Sequence, residues 1–342
     1  MSQNTRGELA SVQVRARRGP HCVLHRFRVG DRACPPAIFQ PIEPMPSRTD
    51  TTDRDPWNRL DRYRRNITSQ CGEDGIVEHL LELLPDTPKT CLEVGAGDGI
   101  TLSNTNTLWS KKGWRALLIE SEKLGVQKIN ERAAGNANVS VVQATIAPTG
   151  QNSIDEIAKR SNFPARIGVL SLDIDSNDIE VFETLRHVTP DIVIIEFNHE
   201  IPADIVYRDL PGDVFFRHSA KAVEACARAR GYRVVACTGP NAFLVRGDLI
   251  AGEAAGRLPD LPIEALFDYS FLRARRSRYR LVESKFITEE IATFGKPDAT
   301  LFVLVRILAA LRKLRRLLRG KRSGERITAE RRANLHRAGL WI

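Results

Sequence analysis

Apolar positions along the central part of this chain switch repeatedly between two periods. Ile76, Val77, Leu80, Leu81 and Leu84 recur at helical spacing and predict an amphipathic helix ending near Pro85. Short unbroken apolar runs then alternate with further helical stretches. The runs predict strands at Thr90–Val94, Arg115–Ile119, Val139–Ala144, Ile167–Ile174 and Ile192–Phe197. Between them lie helices carrying Leu102, Leu108 and Trp109, then Lys123–Ala134, Ile154–Arg160 and Ile179–Leu185, with Gly113 and Gly135 closing the first two. A longer insertion over 199–217 leads to a helix at Ala220–Arg230. Tyr232–Cys237 and Ala242–Val245 follow, separated by Thr238-Gly239-Pro240-Asn241, a turn cluster of hairpin length. This alternation, five strand–helix units followed by a terminal hairpin, implies an α/β fold with a doubly wound sheet.

The two ends read differently. Residues 1–55 lack sustained periodicity and carry a proline-rich run (Pro35, Pro36, Pro41, Pro44, Pro46), so they are expected to form a disordered basic tail. The regular domain is placed at 56–249, a helix and loop extension at 250–298, and a basic helical tail at 299–342. In that tail Leu304, Ile307, Leu311, Leu314 and Leu318 share one side of a helix over 301–319, with Arg306, Arg312, Lys313, Arg315, Arg316 and Arg319 on the other. A basic amphipathic helix of this kind suits an anionic membrane surface, against the plainer reading of a helix packed on the domain. Its apolar run is too short to span a bilayer.

Charge sharpens the division. Residues 1–66 carry a net +6 and residues 299–342 a net +10, within a whole-chain total of +9, so the folded centre is mildly acidic. A nucleic-acid enzyme concentrates positive field around its catalytic domain, so this distribution argues against a nucleic-acid substrate. The six cysteines (22, 34, 71, 91, 226 and 237) form no close metal-ligand pair. With no secretory apolar core near the N-terminus, the expected setting is cytoplasmic, with peripheral association at the inner membrane face through the basic helix.

The chemistry starts at Cys91-Leu92-Glu93-Val94-Gly95-Ala96-Gly97-Asp98-Gly99, a strand running into three alternate glycines. Such a loop lets backbone approach a ligand closely. Ile100 stands where a dinucleotide fingerprint needs its third glycine, which ranks a nicotinamide oxidoreductase low. The G-x-G-x-G spacing with Glu93 before it resembles motif I of the S-adenosylmethionine-dependent methyltransferases. Ser69-Gln70-Cys71-Gly72-Glu73-Asp74-Gly75, then Ser103-Asn104-Thr105, Gly113-Trp114 and Ile119-Glu120, resemble in order the S-Q-x-G-E-D-G and S-N-T…G-W…I-E stretches of FkbM-like methyltransferases. Ser171-Leu172-Asp173-Ile174-Asp175 with Asn177-Asp178 resembles their strand-four signature, Ser176 standing where the pattern has glycine. The resemblance covers residues 67 to about 249 and implies the family's seven-stranded, mostly parallel Rossmann-like sheet with the last strand antiparallel.

That resemblance implies S-adenosylmethionine as cofactor, held by Gln70, Glu93, Gly95, Ala96, Gly97, Asp98, Gly99, Asn104, Glu120, Ala144 and Asp173. Glu93 is expected to face the methionyl amine and sulfonium, Glu120 the ribose hydroxyls, and Gln143, Ala144 and Thr145 the adenine. It further implies O-methylation of a hydroxyl on a sugar, glycan or secondary metabolite. The proton must pass to a base just beyond strands four and five, where Asp175, Glu196 and His199 lie; Asp175 and His199 are the preferred bases. Asp175, Glu196 and Asn198 are also oxygen ligands of the kind Mg²⁺ accepts, beside the alternative of loop-stabilising hydrogen bonds. The competing reading from another class is a non-catalytic module that keeps the fold and binds a glycan or a protein partner.

Overall fold

The computed structural model describes residues 59–175, 177–210, 217–268, 280–281, 329–338 and 340–341. The tail at 1–55, the basic run 301–319 and most of the extension beyond residue 268 lie outside the described residues.

Seven strands form one sheet: β1 (Thr90–Val94), β2 (Arg115–Glu120), β3 (Val139–Gln143), β4 (Arg166–Leu172), β5 (Thr189–Glu196), β6 (Tyr232–Cys237) and β7 (Asn241–Arg246). Their spatial order is β3-β2-β1-β4-β5-β7-β6. The first five strands pair in parallel, while β7 runs antiparallel to both β5 and β6. The fold is therefore the doubly wound, mostly parallel seven-stranded sheet with the last strand reversed, as the apolar pattern and the resemblance together lead one to expect.

Helices cover both faces, which is why the central strands read as continuous apolar runs. α1 (Glu73–Leu83), α2 (Asn106–Lys111) and α3 (Lys123–Arg132) lie on one face. Ile76, Leu80, Leu108, Trp109 and Ile129 pack there with Cys91, Ala116, Leu118, Val169, Ile192 and Ile194. α4 (Ile154–Arg160), α5 (Asp178–Thr184) and α6 (Ala220–Ala229) cover the other, where Ile154, Ile157, Ile179, Phe182 and Val223 meet Leu92, Leu117, Leu170, Val193 and Ile195. Burial of each large apolar side chain contributes about 1.5–3 kcal/mol. Two short helices, α7 (Gly252–Arg257) and α8 (Ile263–Leu266), follow the sheet. The terminal segment adds α9 (Ala329–Arg337) and a two-stranded ribbon of β8 (Arg280–Leu281) with β9 (Leu340–Trp341). No helix among the described residues is long and apolar enough to cross a membrane.

The Ser69–Gly75 motif docks α1 onto the rest of the domain. Glu73 accepts hydrogen bonds from the Cys71 amide (2.6 Å), Thr238 Oγ1 (2.7 Å) and Asn241 Nδ2 (3.2 Å), tying α1 to the β6–β7 turn. Asp74 gathers the amides of Ile67, Thr68 and Ser69, each at 2.8 Å. Burial works against the Asp74 charge, but the Ser69 hydroxyl and these amides hold its carboxyl below the ordinary value.

Most element ends lie one to three residues from the sequence reading, and two of the differences have a visible cause. Leu102 lies outside any helix; it sits at φ 64° in a turn and is exposed, and α2 begins only at Asn106. The reason is local. Glu93 takes the Ser103 and Thr105 hydroxyls and the Asn104 amide, which ties 103–105 into a turn ahead of the helix. β4 stops at Leu172, short of Ile174, because the Ile174 amide donates to Asp178 Oδ1 (3.0 Å) in a turn that starts α5.

Candidate active site

The period of two along each strand decides where the acids go. Glu93, Glu120 and Glu196 share the phase of the strand residues that pack under α1–α3. The register then aligns their ends. Leu172 pairs with Ile195, so the next step beyond β4 brings Asp173 opposite Glu196; Val94 pairs with Leu172, so Gly95 meets Asp173. A row of carboxylates thus crosses the carboxyl ends of β2, β1, β4 and β5, where open α/β sheets bind ligands.

The glycine loop spans the gap in this row. Gly95, at φ 76°, has no room for a side chain, since a Cβ there would fall 1.9 Å from the Asp173 carbonyl oxygen. Gly97, at φ 59°, differs in that a Cβ would meet nothing within 4 Å: this point of the loop faces open space. The Gly97 amide donates to Glu120 Oε2 (2.7 Å), and Glu120 Oε1 accepts from the amide of Glu122 (2.7 Å) and the hydroxyl of Ser121 (3.2 Å). Gly125 on α3 permits this closeness, because a Cβ there would lie 2.4 Å from the Gly97 carbonyl oxygen and 2.8 Å from Glu120 Cγ. The sequence reading missed Gly125. The signal that could have found it is a glycine in the first turn of a helix after the β2 acid, a place where propensity disfavours glycine.

Asp98 closes the loop. It accepts from the amides of Ile100 (3.0 Å) and Thr101 (2.7 Å) and pairs with Arg132 at 2.8 Å. Burial opposes its charge, but the Thr101 amide and Arg132 bring its pKa down to about 2. Ala96 is buried behind the loop, with its amide on the Ile119 carbonyl.

Glu93 is turned inward, a correction to the expectation that it faces a sulfonium. Oε2 accepts from Ser103 Oγ and Thr105 Oγ1, both at 2.7 Å, and Oε1 from the Asn104 amide at 2.9 Å. Burial raises its pKa, with the Ser103 and Thr105 hydroxyls and the Asn104 amide opposing. Its direct effect is to present Asn104, whose Nδ2 donates to Ser171 Oγ (3.1 Å) while Oδ1 is buried without a hydrogen-bond partner. Gln70 is half-buried before α1, and Ala144 follows β3 with its amide on the Glu120 carbonyl.

On the far side of the loop, carboxylate oxygens of Asp173, Asp175 and Glu196 lie within 4.8 Å of one another. Burial, then the facing Glu196, pushes the Asp173 pKa well above the ordinary value, with Asp178 and Asp175 adding. Burial and Glu196 likewise raise Asp178 to about 7. The cluster carries its own cation. Arg217 Nη1 bonds Glu196 and reaches Asp175 at 3.3 Å. Burial disfavours the Arg217 charge, but Glu196, then Asp175 and Asp173, hold its pKa above the usual arginine value. Arg217, in the insertion before α6, was invisible to the sequence reading because no spacing links it to strand ends in other units.

The Mg²⁺ ligand set that the sequence offered as the lesser alternative is not assembled. Asn198 Oδ1 accepts from the Glu200 amide (2.8 Å) in a turn, and a guanidinium sits where the cation would pair with Asp175 and Glu196. These residues do not fit a divalent ion, and no step is assigned to one. His199 is buried just beyond β5, whereas Asp175, at φ 64°, is the exposed member of the acidic cluster.

No family model and no curated protein sequence matches the chain. Among solved structures, it is similar to a SAM-dependent methyltransferase from Aquifex aeolicus, with 18% identity over 50% of this chain and 89% of that one and a TM-score of 0.31. The N-terminal domain of EvdMO1, determined in the presence of SAH and D-fucose, matches at 12% identity over 51% of this chain and 80% of that one, TM-score 0.35. A precorrin-6y C5,15-methyltransferase from Geobacter metallireducens GS-15 matches at 15% identity over 54% and 92%, TM-score 0.32.

Proposed function

We propose that this chain is an S-adenosylmethionine-dependent methyltransferase acting on a hydroxyl of a sugar, glycan or secondary metabolite. The observation that carries the reading is the Gly95–Gly99 loop at the end of β1, open at Gly97 and flanked in register by Glu120 on one side and Asp173 with Glu196 on the other. Asn104 Oδ1 is a buried acceptor in need of a donor, which an ammonium provides. Glu120 is a carboxylate at the loop, suited to vicinal hydroxyls. When bound, the cofactor supplies an electrophilic methyl group on a sulfonium.

The chain's own residues divide the remaining work. Glu93 fixes the 103–105 segment and through it Asn104. Asp175 takes the acceptor's proton, because it is the exposed carboxylate of the cluster and His199 is buried. Arg217 offsets the charge of Glu196 beside it, and burial and the field of Glu196 hold the Asp173 carboxyl well above the ordinary carboxylate range. The run 301–319 is assigned, from its sequence pattern, to contact with an anionic membrane surface.

Calorimetric titration of the chain with S-adenosylmethionine tests the reading, with Gly97→Val and Glu120→Ala as controls. Saturable binding that Gly97→Val abolishes and Glu120→Ala weakens about tenfold or more is expected. A folded chain that binds none refutes it and favours a module that binds glycan or protein without chemistry.

A further inference from the structure

The terminal segment of the chain is wired to the acidic cluster. Leu335 on α9 and Leu340 on β9 are fully buried against Ile201 and Tyr207, forming a small core separate from those of the sheet, with Ile205 and Ala338 packed on it. Asn334 Nδ2 donates to the Arg208 carbonyl at 2.8 Å, across 126 residues of sequence. The Arg208 guanidinium in turn grips α5, bonding both oxygens of Glu183 at 2.8 Å and Glu180 at 3.1 Å.

From that anchor a relay of hydrogen bonds runs to Arg217. Tyr207 Oη donates to Asp209 Oδ1 (2.9 Å), and Asp209 Oδ2 accepts the Arg217 amide (2.8 Å). The Tyr207 amide donates to Ser219 Oγ (2.9 Å), and the Ser219 amide donates back to the Tyr207 carbonyl (3.0 Å). Arg217 is thus pinned from both sides by residues 207–209 and 219, in a left-handed conformation at φ 66° that an arginine does not adopt without such support. Its guanidinium then meets Glu196 and Asp175.

We propose that α9 and β9 form a strut that holds the 199–210 segment and, through Asp209, sets Arg217 against the acidic cluster; Arg217 is a positioning residue and the strut governs the acceptor side of the site. The functional meaning rests on the methyltransferase reading above, but the physical linkage does not. Among the described residues no hydrogen bond or ion pair joins the strut to the glycine loop or Glu120, so its release disturbs the acceptor side and spares the cofactor side.

Hydrogen exchange with mass spectrometry on the full chain tests this, comparing the parent with Leu335→Asp, Asn334→Ala and the conservative Leu335→Met. In Leu335→Asp, exchange at the amides of Tyr207, Arg217 and Ser219 is expected to accelerate about tenfold or more, while the Gly95 and Ala96 amides, bonded to the Ile119 carbonyl, keep the parent rate. Asn334→Ala gives a smaller acceleration at the same sites, and Leu335→Met restores the parent pattern. Carbodiimide labelling of Glu196, shielded by Arg217 in the parent, rises in step. Unchanged exchange over 207–219 in Leu335→Asp would overturn the proposal, as would a uniform acceleration that includes Gly95, since the segment would then be a passenger or a general stabiliser. S-adenosylhomocysteine titration of the same samples separates the two claims: failure of the parent to bind refutes the cofactor reading, while the exchange pattern still decides the strut.

Discussion

Asp178 offers a quantitative check on the electrostatics of the site. It is buried at the first turn of α5, accepts the Ile174 amide, and has its pKa raised from the ordinary 3.8 to about 7 by burial and then by Glu196. The folded chain therefore keeps a proton that the unfolded chain releases near pH 4. Stability falls as pH rises across this window, by about 1.4 kcal/mol for each pH unit, and is flat above the folded pKa. The gap of 3.8 to about 7 gives a total loss of about 4 kcal/mol at pH 8. Asp178→Asn removes the titration and keeps Oδ1 as the acceptor for Ile174. The variant should then match the parent near pH 4 and exceed it by about 4 kcal/mol at pH 8, read as urea-unfolding free energies at each pH. A difference between variant and parent that is the same at pH 4 and pH 8 would refute the reasoning.

Three further outcomes follow from the same contacts. Arg217→Met leaves the buried Glu196 without its cation and should lower the unfolding free energy by about 3–5 kcal/mol near neutral pH; a loss below about 1 kcal/mol would mean that the pair is dispensable. Glu73→Ala removes the acceptor for Thr238 and Asn241, leaves their donors buried, and should cost about 1–3 kcal/mol in thermal or urea unfolding, with a normal result contradicting the docking role of the Ser69–Gly75 motif. Gly95→Ala forces a Cβ onto the Asp173 carbonyl in a left-handed conformation and should destabilise by at least about 1–2 kcal/mol; unchanged melting would show that the β1–β4 contact is looser than described.

The sequence by itself determined most of the sheet. β1 and β6 fall on the predicted residues, and every strand of the seven was marked, because strands buried on both faces must be apolar throughout and their ends must carry turn chemistry. The glycine loop and the positions of Glu93, Glu120, Asp173 and Glu196 at strand ends were legible for the same reason: backbone geometry and period-two alternation are local properties. What each acid does was not. Glu93 and Glu120 are separated in sequence from Ser103, Thr105 and Gly97, and only packing decides that Glu93 spends its oxygens on the 103–105 turn. Leu102 was misread as helical because a tertiary hydrogen bond outweighs helix propensity over a few residues. Arg217, Gly125 and the strut of Leu335 and Asn334 were hidden altogether. Their roles come from contacts between segments that no spacing rule connects, and a long-range contact exists only once the chain has closed the loop between its partners.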